Sequence, residues 1–138
     1  MISALSIAMS NLPPAAPKVL VVDDEPNIVM SLEFLLRKAG YAVRIARNGT
    51  EALEALERES FGVVVLDIMM PDVDGYQVCR HLRQLPGHQH TKVVFLSAKS
   101  READIQKGLE AGADLYLTKP FSTRQLLEKV RELSPLPV

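Results

Sequence analysis

Hydrophobic residues in this chain come in short unbroken runs, separated by stretches of helical period. Lys18-Val19-Leu20-Val21-Val22, Gly62-Val63-Val64-Val65-Leu66 and Lys92-Val93-Val94-Phe95-Leu96 carry no polar alternate. Apolar runs this short, rich in β-branched residues, predict strands covered on both faces. Two weaker strands are predicted over 41–46 and 114–117. Between the strands, apolar positions recur every three or four residues. Ile28, Leu32, Leu35 and Leu36 mark a first helix, from Pro26 to a stop at Gly40. Ala52, Leu53 and Leu56 mark a second over about 50–59, and Val78, Leu82 and Leu85 a third between Gly75 and Pro86. A fourth spans about 101–111 and stops at Gly112. A fifth spans 122–133, with Leu126, Leu127, Val130 and Leu133 inward. Five strand-then-helix units with short connections predict an α/β fold, a doubly wound parallel sheet with helices on both faces.

Composition narrows this to one domain. The chain has 138 residues, 47% of them hydrophobic, which suffices for a core and excludes wholesale disorder. A formal net charge of −1 favours neither nucleic acid nor an anionic membrane as a direct partner. No apolar run approaches the roughly 20 residues that span a bilayer. The single cysteine, Cys79, has no internal disulfide partner and reads as a small core residue, which suits a reducing cytoplasm. Residues 1–17 carry no charged side chain and three prolines. Their apolar part is short and lacks a basic start, so they read as a flexible tail or linker rather than a secretory signal. The folded unit is expected over 18–133, with 134–138 as a second tail.

The chemistry gathers at the carboxyl ends of the predicted strands. The first is followed by Asp23 and Asp24, the third by Asp67, the fourth by Ser97 and the fifth by Lys119. Parallel strands bring these ends to one edge, where open α/β sheets bind ligands. Three carboxylates, a hydroxyl and an ammonium suit a hard divalent cation beside a phosphoryl group. Taken singly, Asp67 reads as a turn residue before Pro71 and Gly75, Ser97 as a helix cap, Tyr116 as core packing and Lys119 as a solvated lysine.

Four pieces carry a resemblance. They are Val21-Val22-Asp23-Asp24-Glu25-Pro26, Leu66-Asp67-Ile68-Met69-Met70-Pro71-Asp72-Val73-Asp74-Gly75, Leu96-Ser97-Ala98 and Lys119-Pro120-Phe121. In this order and on these strands the chain, over about 18–133, closely resembles the receiver domains of two-component response regulators. The resemblance implies a flavodoxin-like sheet of order 2-1-3-4-5 with five helices. It implies that Asp67 accepts a phosphoryl group from a phosphohistidine on a sensor histidine kinase or histidine phosphotransfer protein. It also implies Mg²⁺ held by Asp23, Asp24, Asp67 and the backbone carbonyl of Met69. Lys119, whose bond to Pro120 is usually cis in the family, would pair with a phosphoryl oxygen. Ser97 and Tyr116 would form the switch, altering the face made by the fourth helix, fifth strand and fifth helix. Such a chain is a signalling phosphoacceptor rather than a turnover enzyme, acting as a monomer or weak homodimer.

Other readings fit less well. A haloacid-dehalogenase-like phosphohydrolase needs a second Asp two residues after the nucleophile, where this chain has Met69. No glycine-rich nucleotide-binding motif is present. An unphosphorylated pseudo-receiver would not need the complete acceptor set. His88 and His90 have chelating spacing but no further ligand nearby in sequence, and His81 reads as surface. Met70 is expected to pack down and Met69 to shield Asp67. Ile105 and Leu115 are expected to form an apolar partner surface.

Overall fold

The computed structural model describes residues 16–137, so most of the expected tail over 1–17 lies outside the described residues. Elements alternate as β1 (Lys18–Val22), α1 (Pro26–Ala39), β2 (Ala42–Ala46), α2 (Gly49–Arg58), β3 (Val63–Asp67), α3 (Gly75–Gln84), β4 (Lys92–Ser97), α4 (Glu102–Glu110), β5 (Leu115–Thr118) and α5 (Thr123–Leu133). All strand pairs are parallel and the sheet order is β2-β1-β3-β4-β5, as the resemblance implies.

Expected boundaries shift by a residue or so, each for a local reason. β3 reaches Asp67 because the ladder continues to Leu96. β5 starts at Leu115 because Asp114 is occupied otherwise. Its carboxylate accepts the Val93 N–H at 2.8 Å and pairs with Arg83 at 2.9 Å. α2 starts at Gly49 because the Asn48 side chain accepts the Glu51 N–H at 2.8 Å, an N-cap.

Alternation within each buried strand splits the core in two. Val19, Val21, Val63, Val65, Val94 and Leu96 face α1 and α5, meeting Leu32, Leu36, Leu126 and Val130. Leu20, Val22, Val64, Leu66, Val93 and Phe95 face the other layer, meeting Ala52 and Leu56 of α2 and Val78, Cys79 and Leu82 of α3. This period of two explains why the runs lack polar alternates: both faces are dry. Cys79 is fully buried, its Sγ donating to the Ala111 carbonyl at 3.4 Å, and burial pushes the thiol up to about 11. It is core, as the sequence suggests.

α1 ends at Gly40, whose φ of +112° is the left-handed conformation that closes helices. After α5 the chain runs back against the amino edge of the sheet. The Tyr41 hydroxyl donates to the Ser134 carbonyl at 2.7 Å, and Leu136 packs on the α1–α5 side of the core. No helix among the described residues is long and apolar enough to cross a membrane.

Candidate functional site

Strand register builds the site. Val22 pairs with Leu66, so the next residues, Asp23 and Asp67, emerge side by side from β1 and β3. Asp67 itself pairs with Leu96, which puts Ser97 one step beyond on β4. Ser97 pairs with Thr118, and the Lys119 N–H donates to the Ser97 carbonyl at 2.8 Å. The Lys119–Pro120 bond is cis. Residues far apart in sequence are thus set at one edge by backbone ladders alone.

Asp23 and Asp67 are almost completely buried, at 2% and 5% exposure. Lys119 Nζ lies 3.2 Å from Asp23 Oδ2 and 3.7 Å from Asp67 Oδ2. It also lies 3.2 Å from Glu25 Oε1. One ammonium therefore faces three carboxylates. Burial, with the Asp23 charge adding, raises Asp67 to about 6 despite Lys119. Burial also raises Asp23, against the hydrogen bond from the Glu25 N–H and the pull of Lys119. For Lys119, burial opposes the charged form, but the summed pull of Asp67 and Asp23 outweighs it and its pKa is raised.

Asp23, Glu25 and Asp67 offer oxygens within 4.8 Å of one another, the one such cluster among the described residues. An all-oxygen, net-negative donor set suits Mg²⁺ rather than a soft metal. Of the expected ligands, Asp23 and Asp67 come together. Asp24 is exposed and stands outside this cluster, at the mouth of a groove of about 410 Å³ shared with Met69, Tyr76, Lys99 and Lys107. The Met69 N–H donates weakly to Asp67 Oδ1 at 3.4 Å, and its side chain is 60% exposed. Met70 is half-buried against the core, as expected.

The loop after Asp67 is braced from beneath. Asp74 caps α3, accepting the Gln77 N–H at 2.9 Å while Gln77 returns a bond to the Asp74 N–H at 3.1 Å, a capping box. Asp72 accepts from the Gly49 and Thr50 N–H groups at 3.1 and 3.0 Å and from the Thr50 hydroxyl, joining the loop to the start of α2. The Thr50 bond first, then the backbone bonds, hold its carboxyl well below the usual range. Gly75 is required because a β-carbon there would stand 2.5 Å from the Asp67 carbonyl oxygen.

Ser97 is fully buried, and its Oγ accepts the Lys99 N–H at 3.1 Å. Tyr116 is half-buried, turned inward, with its hydroxyl donating to the Lys99 carbonyl at 2.7 Å. Its ring is tilted on Phe95 at 6.0 Å, and Phe95 meets Tyr76 edge-on at 5.6 Å.

Some residues were not legible in the sequence. Glu25 joins the acidic cluster because the chain turns after β1, not because of its spacing. Asp72 and Asp74 belonged to a quoted motif, but only the Asp74-to-Gln77 spacing signalled a cap. His88 is buried, not a loop ligand. Its Nε2 donates to the Leu56 carbonyl and its Nδ1 lies 3.2 Å from the Thr91 hydroxyl, whereas His90 is exposed. Ile105 and Leu115 are both half-buried, Leu115 against the core. Among the described residues, the large apolar side chains that are exposed are Met30, Phe34, Met69 and Leu109.

Comparison with known proteins agrees with this geometry. A family model described as response regulator receiver domain matches residues 19–131. The BeF3-activated receiver domain of DrrB is 38% identical, with 86% of this chain and 97% of that one covered and a TM-score of 0.79. Chemotaxis response regulator CheY4 of Vibrio cholerae is 30% identical, covering 86% and 98%, with a TM-score of 0.81. The receiver domain of a signal transduction histidine kinase from Syntrophus aciditrophicus is 34% identical, covering 86% and 89%, with a TM-score of 0.79. Fold, acidic edge and family match coincide over the same residues, and the chain belongs to the response regulator receiver domain family.

Proposed function

We propose that this chain is a phosphorylation-dependent switch of two-component signalling, with Asp67 as acceptor. The observation that carries the reading is the pairing of buried Asp23 and Asp67 around Lys119, at 3.2 and 3.7 Å, at the sheet edge where β4 delivers Ser97. A structural ion pair has no use for an excess of buried carboxylate, whereas a cation site does.

In the reaction, an Asp67 carboxylate oxygen attacks phosphorus on a partner's phosphohistidine. The P–N bond breaks as the P–O bond forms, and the imidazole leaves as a neutral or protonated ring. Phosphoryl transfer is governed by position and charge neutralisation more than by covalent assistance. Asp23, Asp24, Asp67 and the Met69 carbonyl would hold Mg²⁺, with Glu25 adding negative charge. When bound, the ion offsets the charge that gathers on phosphoryl and carboxylate oxygens. Lys119 pairs with a phosphoryl oxygen as a point charge. Ser97 leaves the Lys99 N–H to bond the phosphoryl group, which favours the inward Tyr116 already held against the Lys99 carbonyl and Phe95. That couples Asp67 to the face formed by α4, β5 and α5.

The donor is a histidine kinase or histidine phosphotransfer protein. Met30 and Phe34, exposed at 68% and 69%, lie one turn apart on α1, and Met30 borders Asp23 and Asp24. They give such a partner an apolar footing next to the acceptor. The buried, unpaired Cys79 suits a cytoplasmic setting.

Intact-mass spectrometry after incubation with a small acyl phosphate tests the reading. A gain of one phosphoryl group that requires Mg²⁺ and disappears in Asp67→Asn is expected. No gain with folded protein and several donors would overturn it.

A further inference from the structure

A β-carbon on Gly108 of α4 would stand 3.0 Å from Tyr116 Cδ2, 3.3 Å from Tyr116 Cε2 and 3.1 Å from Phe95 Cδ2. Relaxed carbon–carbon contacts lie at about 3.5–4.0 Å. The Tyr116 ring therefore occupies space that exists because residue 108 has no side chain. Helix formation does not account for this glycine, since α4 is nine residues long and alanine is the better helix former.

The neighbours decide what yields if that space is filled. Phe95 is fully buried, packed edge-on against Tyr76. α4 is itself held in place. The Tyr76 hydroxyl donates to the Asp104 carbonyl in its first turn at 3.1 Å, and Lys107 Nζ sits 4.5 Å from the centre of the Tyr76 ring. Tyr116 alone is half-exposed and tethered by one hydrogen bond, to Lys99. Of these neighbours the tyrosine is the freest to give way.

We propose that Gly108 is a positioning residue of the switch: its missing side chain leaves room for the inward seat of Tyr116, and a β-carbon there crowds the ring and favours its outward position. This rests on the reading of Tyr116 as the aromatic member of the switch. Coupling is reciprocal, so if phosphorylation favours the inward ring, a ring forced outward disfavours the phosphorylated state.

Gly108→Ala in the full chain tests this with two readouts. The first is nitration of tyrosine mapped by peptide mass spectrometry, with Tyr41 and Tyr76 as internal references. Tyr116 should react several-fold faster in the variant, with the references unchanged. The second is the phosphorylated fraction at limiting acyl phosphate and saturating Mg²⁺, which should fall about two- to five-fold. In a Tyr116→Leu background, Gly108→Ala should make no further difference. Unchanged Tyr116 reactivity would overturn the proposal, as would a Gly108→Ala effect that persists without the tyrosine. A more reactive Tyr116 with unaltered phosphorylation would uphold the seat but overturn its coupling to Asp67. Nitration needs no phosphoryl transfer, so it decides on Gly108 even if the wild-type chain accepts no phosphate.

Discussion

Asp67 is held in a form that costs stability. Its pKa of about 6 stands above that of a free carboxylate, mainly because it is buried and then because Asp23 is beside it. The folded state therefore binds its proton more tightly than the unfolded state. Stability from this group is greatest below about pH 4 and is lost as pH rises to about 6. A difference of roughly two units corresponds to at most about 3 kcal/mol. Asp67→Asn should accordingly stabilise the metal-free protein at pH 7.5 by about 1–3 kcal/mol, with the gain fading toward pH 4. Urea unfolding in EDTA at several pH values checks this. Adding Mg²⁺ should narrow the gap by stabilising the wild type alone. A gain that does not vary with pH would place its origin in packing rather than charge.

At the scale of elements, the loop after Asp67 is positioned by the starts of two helices. α3 begins under Asp67 with Gly75, and α2 is joined to the loop through Asp72. Gly75→Ala adds a methyl group that would stand 2.5 Å from the Asp67 carbonyl and 2.8 Å from the Ile68 Cα. Both are backbone atoms, so the loop must shift. A loss of about 1–3 kcal/mol is expected. Phosphorylation by a small donor should fall with it, even well below the melting temperature. Thermal unfolding and intact mass on the same samples separate the two effects. Normal phosphorylation in a destabilised variant would mean that loop position does not limit transfer.

For the whole molecule, the sheet sorts its tasks by edge and face. The carboxyl edge carries the acidic site, and the amino edge is closed by Tyr41 and the segment after α5. Of the flanking helices, α1 exposes two large apolar residues, Met30 beside Asp23 and Asp24 and Phe34 one turn further on. Phe34→Asp should slow phosphoryl transfer from a phosphohistidine protein by about ten-fold, as for loss of an interface anchor. It should leave the mass gain from a small acyl phosphate unchanged. Equal transfer from the protein donor would remove α1 from the docking surface.

The sequence by itself determined the elements and which strand ends carry Asp23, Asp67, Ser97 and Lys119. Runs such as Val63 to Leu66 state their strand character locally, because a strand buried on both faces tolerates no polar alternate. Asp23, Asp67, Ser97 and Lys119 follow such runs directly, and parallel pairing leaves those ends only one edge to share. Tertiary structure alone decided the rest, because it depends on distances across elements. Glu25 joins the cluster through a turn, His88 enters the core through the Leu56 carbonyl, and Asp72 reaches α2 across 23 residues of sequence. Ile105 and Leu115 look exposable in sequence but are half-buried, Leu115 against the core, while Met30 and Phe34 are exposed. Gly108 reads as a weak helix position in the sequence, and only the closeness of the Tyr116 ring gives its missing side chain a physical purpose.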